Sequence, residues 1–148
     1  MDPKQKYLLD TNVLIYDPQL LTLIEKPIIS ILVLEELDRI KNDYGAKGYL
    51  AREAIRAIFN HSDKITFMPD YYAVARTSTN PPMIRPDSVD NKLLLTAYEQ
   101  SSILLTNDMN LVIKGNLLNK PCVEYYENAE KKLDNLYTGI REIDIDLS

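Results

Sequence analysis

"YLLDTNVLI", residues 7–15, runs three apolar residues straight into Asp10, continues with two small polar residues and then turns apolar again. A carboxylate is costly to bury unless it is paired, hydrogen-bonded or coordinating. The run therefore reads as a buried strand that ends at Asp10, and Asp10 has a partner, a solvent-filled cleft or a task.

Segments of the same apolar, β-branched character recur along the chain: KYLLD (6–10), PIISIL (27–32), KITFM (64–68), SILLT (102–106) and PCVEYY (121–126). None alternates cleanly between apolar and polar, which suits a parallel sheet covered on both faces. Helical patterns fall between them, in LVLEELDRIKND (32–43), GYLAREAIRAIFNH (48–61), SVDNKLLLTAYEQS (88–101) and the shorter NLVIKGNLL (110–118). In the second of these, Leu50, Ala51, Ala54, Ile55, Ile58 and Phe59 form one stripe while Arg52, Glu53 and Arg56 face away. Strands alternating with helices predict a three-layer α/β/α sandwich around a mainly parallel central sheet.

With 148 residues, 45% hydrophobic and 26% charged, the chain has the size and balance of one domain with an ordinary core. Its net charge of -5 gives no global positive field to attract nucleic acid or an anionic membrane, so a polyanion would need a local basic patch or bound cations. The single cysteine, Cys122, excludes a disulfide within the chain and fits a reducing cytoplasm. The first residues lack the layout of a signal peptide, and no apolar run approaches the roughly 18 residues of a membrane span. A soluble, cytoplasmic protein is the expectation.

In a parallel α/β sheet the carboxyl ends of the strands and the starts of the following helices share one edge, where ligand sites form. Asp10 ends the first strand, Glu35 and Glu36 open the helix after the second, Asp87 and Asp90 open the helix leading to the fourth, and Asp108 follows the fourth by two residues. Each acid alone has an ordinary explanation. Asp10 and Asp108 suit helix capping, Asp90 suits the first turn of a helix capped at Asp87, and Glu36 suits a solvated face. Together they place only negative charge at that edge, and close carboxylates repel unless protonated or bridged by a cation. A hard divalent ion, Mg²⁺ or Mn²⁺, prefers such oxygen ligands, whereas one histidine, His61, and one cysteine do not make a zinc site. The reaction this implies is hydrolysis of a nucleic-acid backbone.

YLLDTNVLI, LEELDRIK, SVDNKLLLTA and ILLTNDMNLVIK, in this order and spacing, resemble the PIN-domain ribonucleases over about residues 6–126. The variant most resembled is the PIN domain fused ahead of a PhoH-like ATPase, which has close counterparts of LEELDRIK, TNDMNL and the YTG at 137–139. The resemblance implies a five-stranded parallel sheet and a Mg²⁺- or Mn²⁺-dependent endoribonuclease acting on single-stranded RNA. It also implies four catalytic, metal-holding acids: Asp10, Glu36, Asp90 and Asp108. Glu36 is preferred to Glu35 because it directly precedes Leu-Asp, and Asp87 matches no motif position. Thr11, Asn12 and Thr106 match the family's supporting polar positions. The expected organisation is a nuclease domain over 1–130 and a helix or linker tail over 131–148 leading to a further domain. No GxxxxGK[ST] phosphate loop can be built from Gly45, Gly48, Gly115 and Gly139, so the chain is not the ATPase half and reads either as a stand-alone PIN protein or as the N-terminal domain of a longer one.

Two other readings compete. LLDTNVL also resembles the nucleophile strand of haloacid-dehalogenase-type phosphatases, but their second aspartate is replaced here by Asn12, an amide that cannot trade protons. The other is a catalytically weak module that binds RNA or docks on a partner, the PhoH-like ATPase or a second copy in a homo-oligomer. A toxin paired with an antitoxin is a further family-level analogy, with no toxin-specific feature in the sequence. Arg39, Arg85 and Lys92 are the candidate contacts to RNA phosphates, Arg76 also flanks the 75–87 loop, and Tyr44, Tyr71, Tyr72 and Tyr98 are available for stacking on bases.

Overall fold

The computed structural model describes residues 2–73 and 84–127. Five strands, β1 (Lys6–Leu9), β2 (Lys26–Ser30), β3 (Thr66–Met68), β4 (Ile103–Thr106) and β5 (Val123–Tyr125), lie in the order β3-β2-β1-β4-β5. Every neighbouring pair is parallel. The helices are α1 (Thr11–Tyr16), α2 (Leu20–Leu23), α3 (Ile31–Ile40), α4 (Ala46–Asn60), α5 (Val89–Glu99) and α6 (Met109–Asn116). The expected five-stranded parallel α/β architecture is therefore what the chain adopts.

The unbroken apolar strands explain the layering. Leu8 and Leu9 in β1, Ile29 in β2 and Leu104 and Leu105 in β4 are almost wholly shielded from solvent, so the central strands bury both faces. Leu14, Ile15, Leu20, Leu21, Leu37, Ala51, Ala54, Leu93, Leu94 and Leu95 supply the helical side of that core.

The element ends differ from the sequence expectation at two kinds of place. PIISIL does not continue to 32, because the Ser30 hydroxyl accepts a hydrogen bond from the Leu32 amide at 3.1 Å and starts α3 at Ile31. The helix that a capping Asp10 implies is α1, whose Val13, Leu14 and Ile15 are all buried, so its 6 residues show no 3.6-residue period, while α2 has no counterpart among the predicted helices. Phe59 departs from the predicted stripe of α4. It is 77% exposed, lying at the flank of the face formed by Ala51, Ala54 and Ile58. The expected tail at 131–148, and Arg76 in the 75–87 loop, lie outside the described residues. Among the described residues no helix is long and apolar enough to cross a membrane.

Gly115, near the end of α6, is where that helix rests on the sheet. A Cβ placed there would stand 2.3 Å from Val123 Cγ1 and 3.1 Å from Leu94 Cδ1, so backbone and β5 approach too closely for a methyl. Gly115→Ala is expected to lower unfolding free energy by about 1–3 kcal/mol despite the better helix propensity of alanine, by overpacking. Urea denaturation of the two proteins measures it, and equal or greater stability of the variant would refute the close approach.

Candidate active site

The strand order reverses between β1 and β4, because the chain builds outward from β1 through β2 to β3 and then returns to the other side of β1. Crevices at the carboxyl ends of such strands are where open α/β sheets bind ligands. Asp10 follows β1 and Thr106 ends β4, and the Thr106 hydroxyl donates to Asp10 Oδ2 at 2.7 Å across that point. The backbone reinforces the junction, with the Asp10 amide donating to the Leu105 carbonyl at 3.1 Å.

From this junction a string of hydrogen bonds ties three of the four acids together. Asp10 Oδ1 accepts from the Thr11 amide at 2.8 Å, capping α1. The Thr11 hydroxyl donates to Glu36 Oε2 at 2.7 Å, reaching from α1 to α3. On the other side the Thr106 hydroxyl accepts from the Asp108 amide at 3.1 Å, and Asp108 Oδ1 accepts from the amides of Asn110 and Leu111 at the start of α6. Asp10 and Asp108 are thus helix caps as well as members of the acidic edge. Ser88, not Asp87, caps α5, with its hydroxyl accepting from the Asn91 amide at 3.2 Å; this leaves Asp90 in the first turn with its carboxylate free of capping duty. Asn12 is half-buried and makes no side-chain hydrogen bond among the described residues.

Asp10 is 7% exposed, whereas Asp90 and Asp108 reach solvent. Burial drives the Asp10 carboxyl up to about 6; repulsion from Asp90 and Glu36 adds to the rise, while the hydrogen bonds from Thr106 and Thr11 oppose it. Asp90 is also raised, first by partial desolvation and then by Asp108 and Glu36, with Lys114 pulling the other way. Asp10 and Asp90 therefore both lie within the negative field of neighbouring acids, Glu36 acting on each.

Sequence reasoning missed two residues that serve this field. The Lys114 ammonium donates to Asn91 Oδ1 at 3.1 Å, and the Asn91 amide donates to the Arg85 carbonyl at 3.0 Å and to Asp87 Oδ1 at 3.2 Å. Asn91 thereby pins the segment before α5 and holds the ammonium that eases Asp90. The available signal was an amide at the spacing of the buried Leu94 and Leu95, on a face that otherwise carries apolar residues. Of the candidate phosphate contacts, Arg39 and Arg85 are exposed, while Lys92 pairs with Asp70 Oδ2 at 3.1 Å in a largely shielded ion pair.

The donor set is all oxygen and all negative, the chemistry that suits Mg²⁺ or Mn²⁺. As placed, no three acidic, histidine or cysteine side chains among the described residues stand close enough to clasp an ion. The arrangement is a shared electrostatic field with Asp10 at its dry end.

The fold and the acidic edge define an α/β domain that gathers carboxylates at its topological switch point. The family model described as "PIN domain" matches residues 7–126, and the chain belongs to that family, whose members are in general nucleases. Matching chains among solved structures number 17; one is a domain of a functionally unknown protein from Methanocaldococcus jannaschii, 22% identical, covering 84% of this chain and 92% of its own, with a TM-score of 0.58. That likeness concerns the fold alone. No curated protein matches.

The raised Asp10 carboxyl has a consequence for stability. Its folded-state value of about 6 lies above the ordinary 3.8, so the protonated form is favoured by folding, and that contribution is present below the unfolded value and lost as pH rises through about 6. With chelator present, Asp10→Asn should stabilise the fold at pH 7 by up to about 2 kcal/mol, with the advantage shrinking as pH falls from about 6 to about 4. Denaturant melts across that range measure the difference, and a gap that does not change with pH would contradict it.

Proposed function

We propose that this chain is a metal-dependent endoribonuclease that hydrolyses phosphodiester bonds of single-stranded RNA, with Asp10, Glu36, Asp90 and Asp108 as its catalytic acids. The observation that carries the reading is the hydrogen-bonded string that gathers Asp10, Glu36 and Asp108 at the switch point of a PIN-domain sheet, with Asp90 at the same edge raising Asp10. Mg²⁺ or Mn²⁺ bound there would lower the pKa of a water and neutralise charge on the leaving oxygen. Thr106 and the Thr11 amide fix the two oxygens of Asp10, so its free lone pairs have a set direction. The Thr11 hydroxyl does the same for Glu36. Asp90 and Asp108 stand at the wet side, where an incoming phosphodiester meets them. Exposed Arg39 and Arg85 are the cations available to the strand's other phosphates, and Lys92, held by Asp70, is the less available.

The reading extends to a cytoplasmic protein working beside a PhoH-like ATPase domain, or as a homo-oligomer. The reading as a catalytically weak RNA-binding or docking module keeps its place because the acids, as placed, form no ready coordination shell.

Labelled single-stranded RNAs incubated with the protein and Mg²⁺ or Mn²⁺ should be cut internally. Asp10→Asn should lower the cleavage rate by at least about a hundredfold, a loss on the scale of removing one preorganised electrostatic group from a transition state. Circular dichroism checks that the variant is folded. Intact RNA with both metals, together with a melting temperature that neither metal shifts, would transfer the assignment to the binding module.

A further inference from the structure

At the opposite end of the sheet from the acids, β1 and β2 both begin with lysine, and the register places Lys6 and Lys26 directly opposite each other. Adjacent strands lie about 4.8 Å apart, and like charges facing across such a pair are destabilising. Lys64, just before β3, joins them in lining a cavity of about 130 Å³ together with Glu25, Thr66 and Gln100, over a floor that includes Ile28. Among the described residues none of the three lysines has an ion-pair partner, although the chain carries 22 acidic residues against 17 basic ones. Even Glu25, which shares the cavity, forms no ion pair with them, and three positive charges against one negative leave the cavity cationic.

We propose that this lysine-lined cavity at the amino edge of the sheet binds a phosphate group. Lys6 and Lys26 open two neighbouring strands and Lys64 stands just before the third, all three lining the cavity, so a tetrahedral oxyanion seated there would take charge-assisted hydrogen bonds from them, with the Thr66 hydroxyl and Gln100 amide as further donors. The volume equals roughly four waters at about 30 Å³ each, enough for a phosphate with part of its hydration and too little to enclose a nucleoside. The ligand is therefore inorganic phosphate or a terminal phosphate whose remainder stays outside, as in a mononucleotide or the end of an RNA strand. Occupancy would relieve the repulsion between Lys6 and Lys26, which gives the ligand a stabilising effect on the fold.

The site is independent of the nuclease reading, and its test uses the whole chain with chelator present, so that no cleavage intervenes. Inorganic phosphate titrated at constant ionic strength against the ¹⁵N-labelled protein should shift the amides of Lys6, Lys26, Lys64 and Thr66 saturably, leaving those of Asp10 and Asp108 in place. Lys26→Gln and Lys64→Gln, both at solvent-reaching positions, should each weaken binding about tenfold while the melting temperature stays equal or rises. Adenosine monophosphate and an oligoribonucleotide with and without a 5′-phosphate separate the sources: tighter binding of the phosphorylated strand assigns the cavity to a strand end, and equal binding assigns it to the free ion. Shifts that grow linearly without saturating, or affinity unchanged in both variants, would overturn the proposal.

Discussion

The constraint on which the rest of this structure depends is the cost of holding the Asp10 carboxylate out of water. An isolated buried carboxylate would be prohibitive, and the chain meets that cost with two neutral donors, the Thr11 amide and the Thr106 hydroxyl, rather than with a lysine or arginine side chain. Neutral donors leave the negative charge in place. Asp90 and Glu36 then make ionisation harder still, and the carboxyl rises to about 6. A chain seeking stability alone would have put an apolar residue at this position. A buried carboxylate at the carboxyl edge of the sheet, where open α/β sheets bind ligands, is thus a cost to the fold that stability alone does not explain.

Much of this was legible in the sequence. The apolar runs that fail to alternate gave parallel strands buried on both faces, and Asp10, Asp90 and Asp108 could be placed at one edge simply by counting strand ends. The bland and functional readings of Asp10 turn out not to compete, since one oxygen caps α1 while the other meets Thr106. What stayed hidden was of two sorts. Short helices such as α1, with Val13, Leu14 and Ile15 all buried, are too brief to show a period. Long-range polar pairs, such as Lys114 with Asn91 or Lys92 with Asp70, depend on how α5 and α6 are set against the sheet and leave no mark in local pattern. The cap of α5 passed from Asp87 to Ser88 for a similar reason: either side chain can accept an amide, and one residue of offset is decided by packing.

The domain distributes its charge along the strand axis. The carboxyl edge gathers four acids, and the amino edge opposes Lys6 to Lys26 with Lys64 beside them. The net charge of -5 conceals this separation entirely. Between the two edges stands a core of leucine and isoleucine in which the fields are weakly screened, so each edge presents a strong local potential that composition does not reveal.

The central strand is also the first to be made. β1 gains β2 early, but its other neighbour, β4, begins at Ile103, so during synthesis one side of the central strand waits for almost the whole domain. Thr106 reaches Asp10 across 96 residues, one of the longest closures in the molecule. Contacts of such sequence separation form slowly and late, after the loop entropy has been met. A nascent or truncated chain that stops before β4 therefore holds Asp10 without its aligning hydroxyl and without Asp108, and the acidic edge is assembled only once the chain has been made through Asp108.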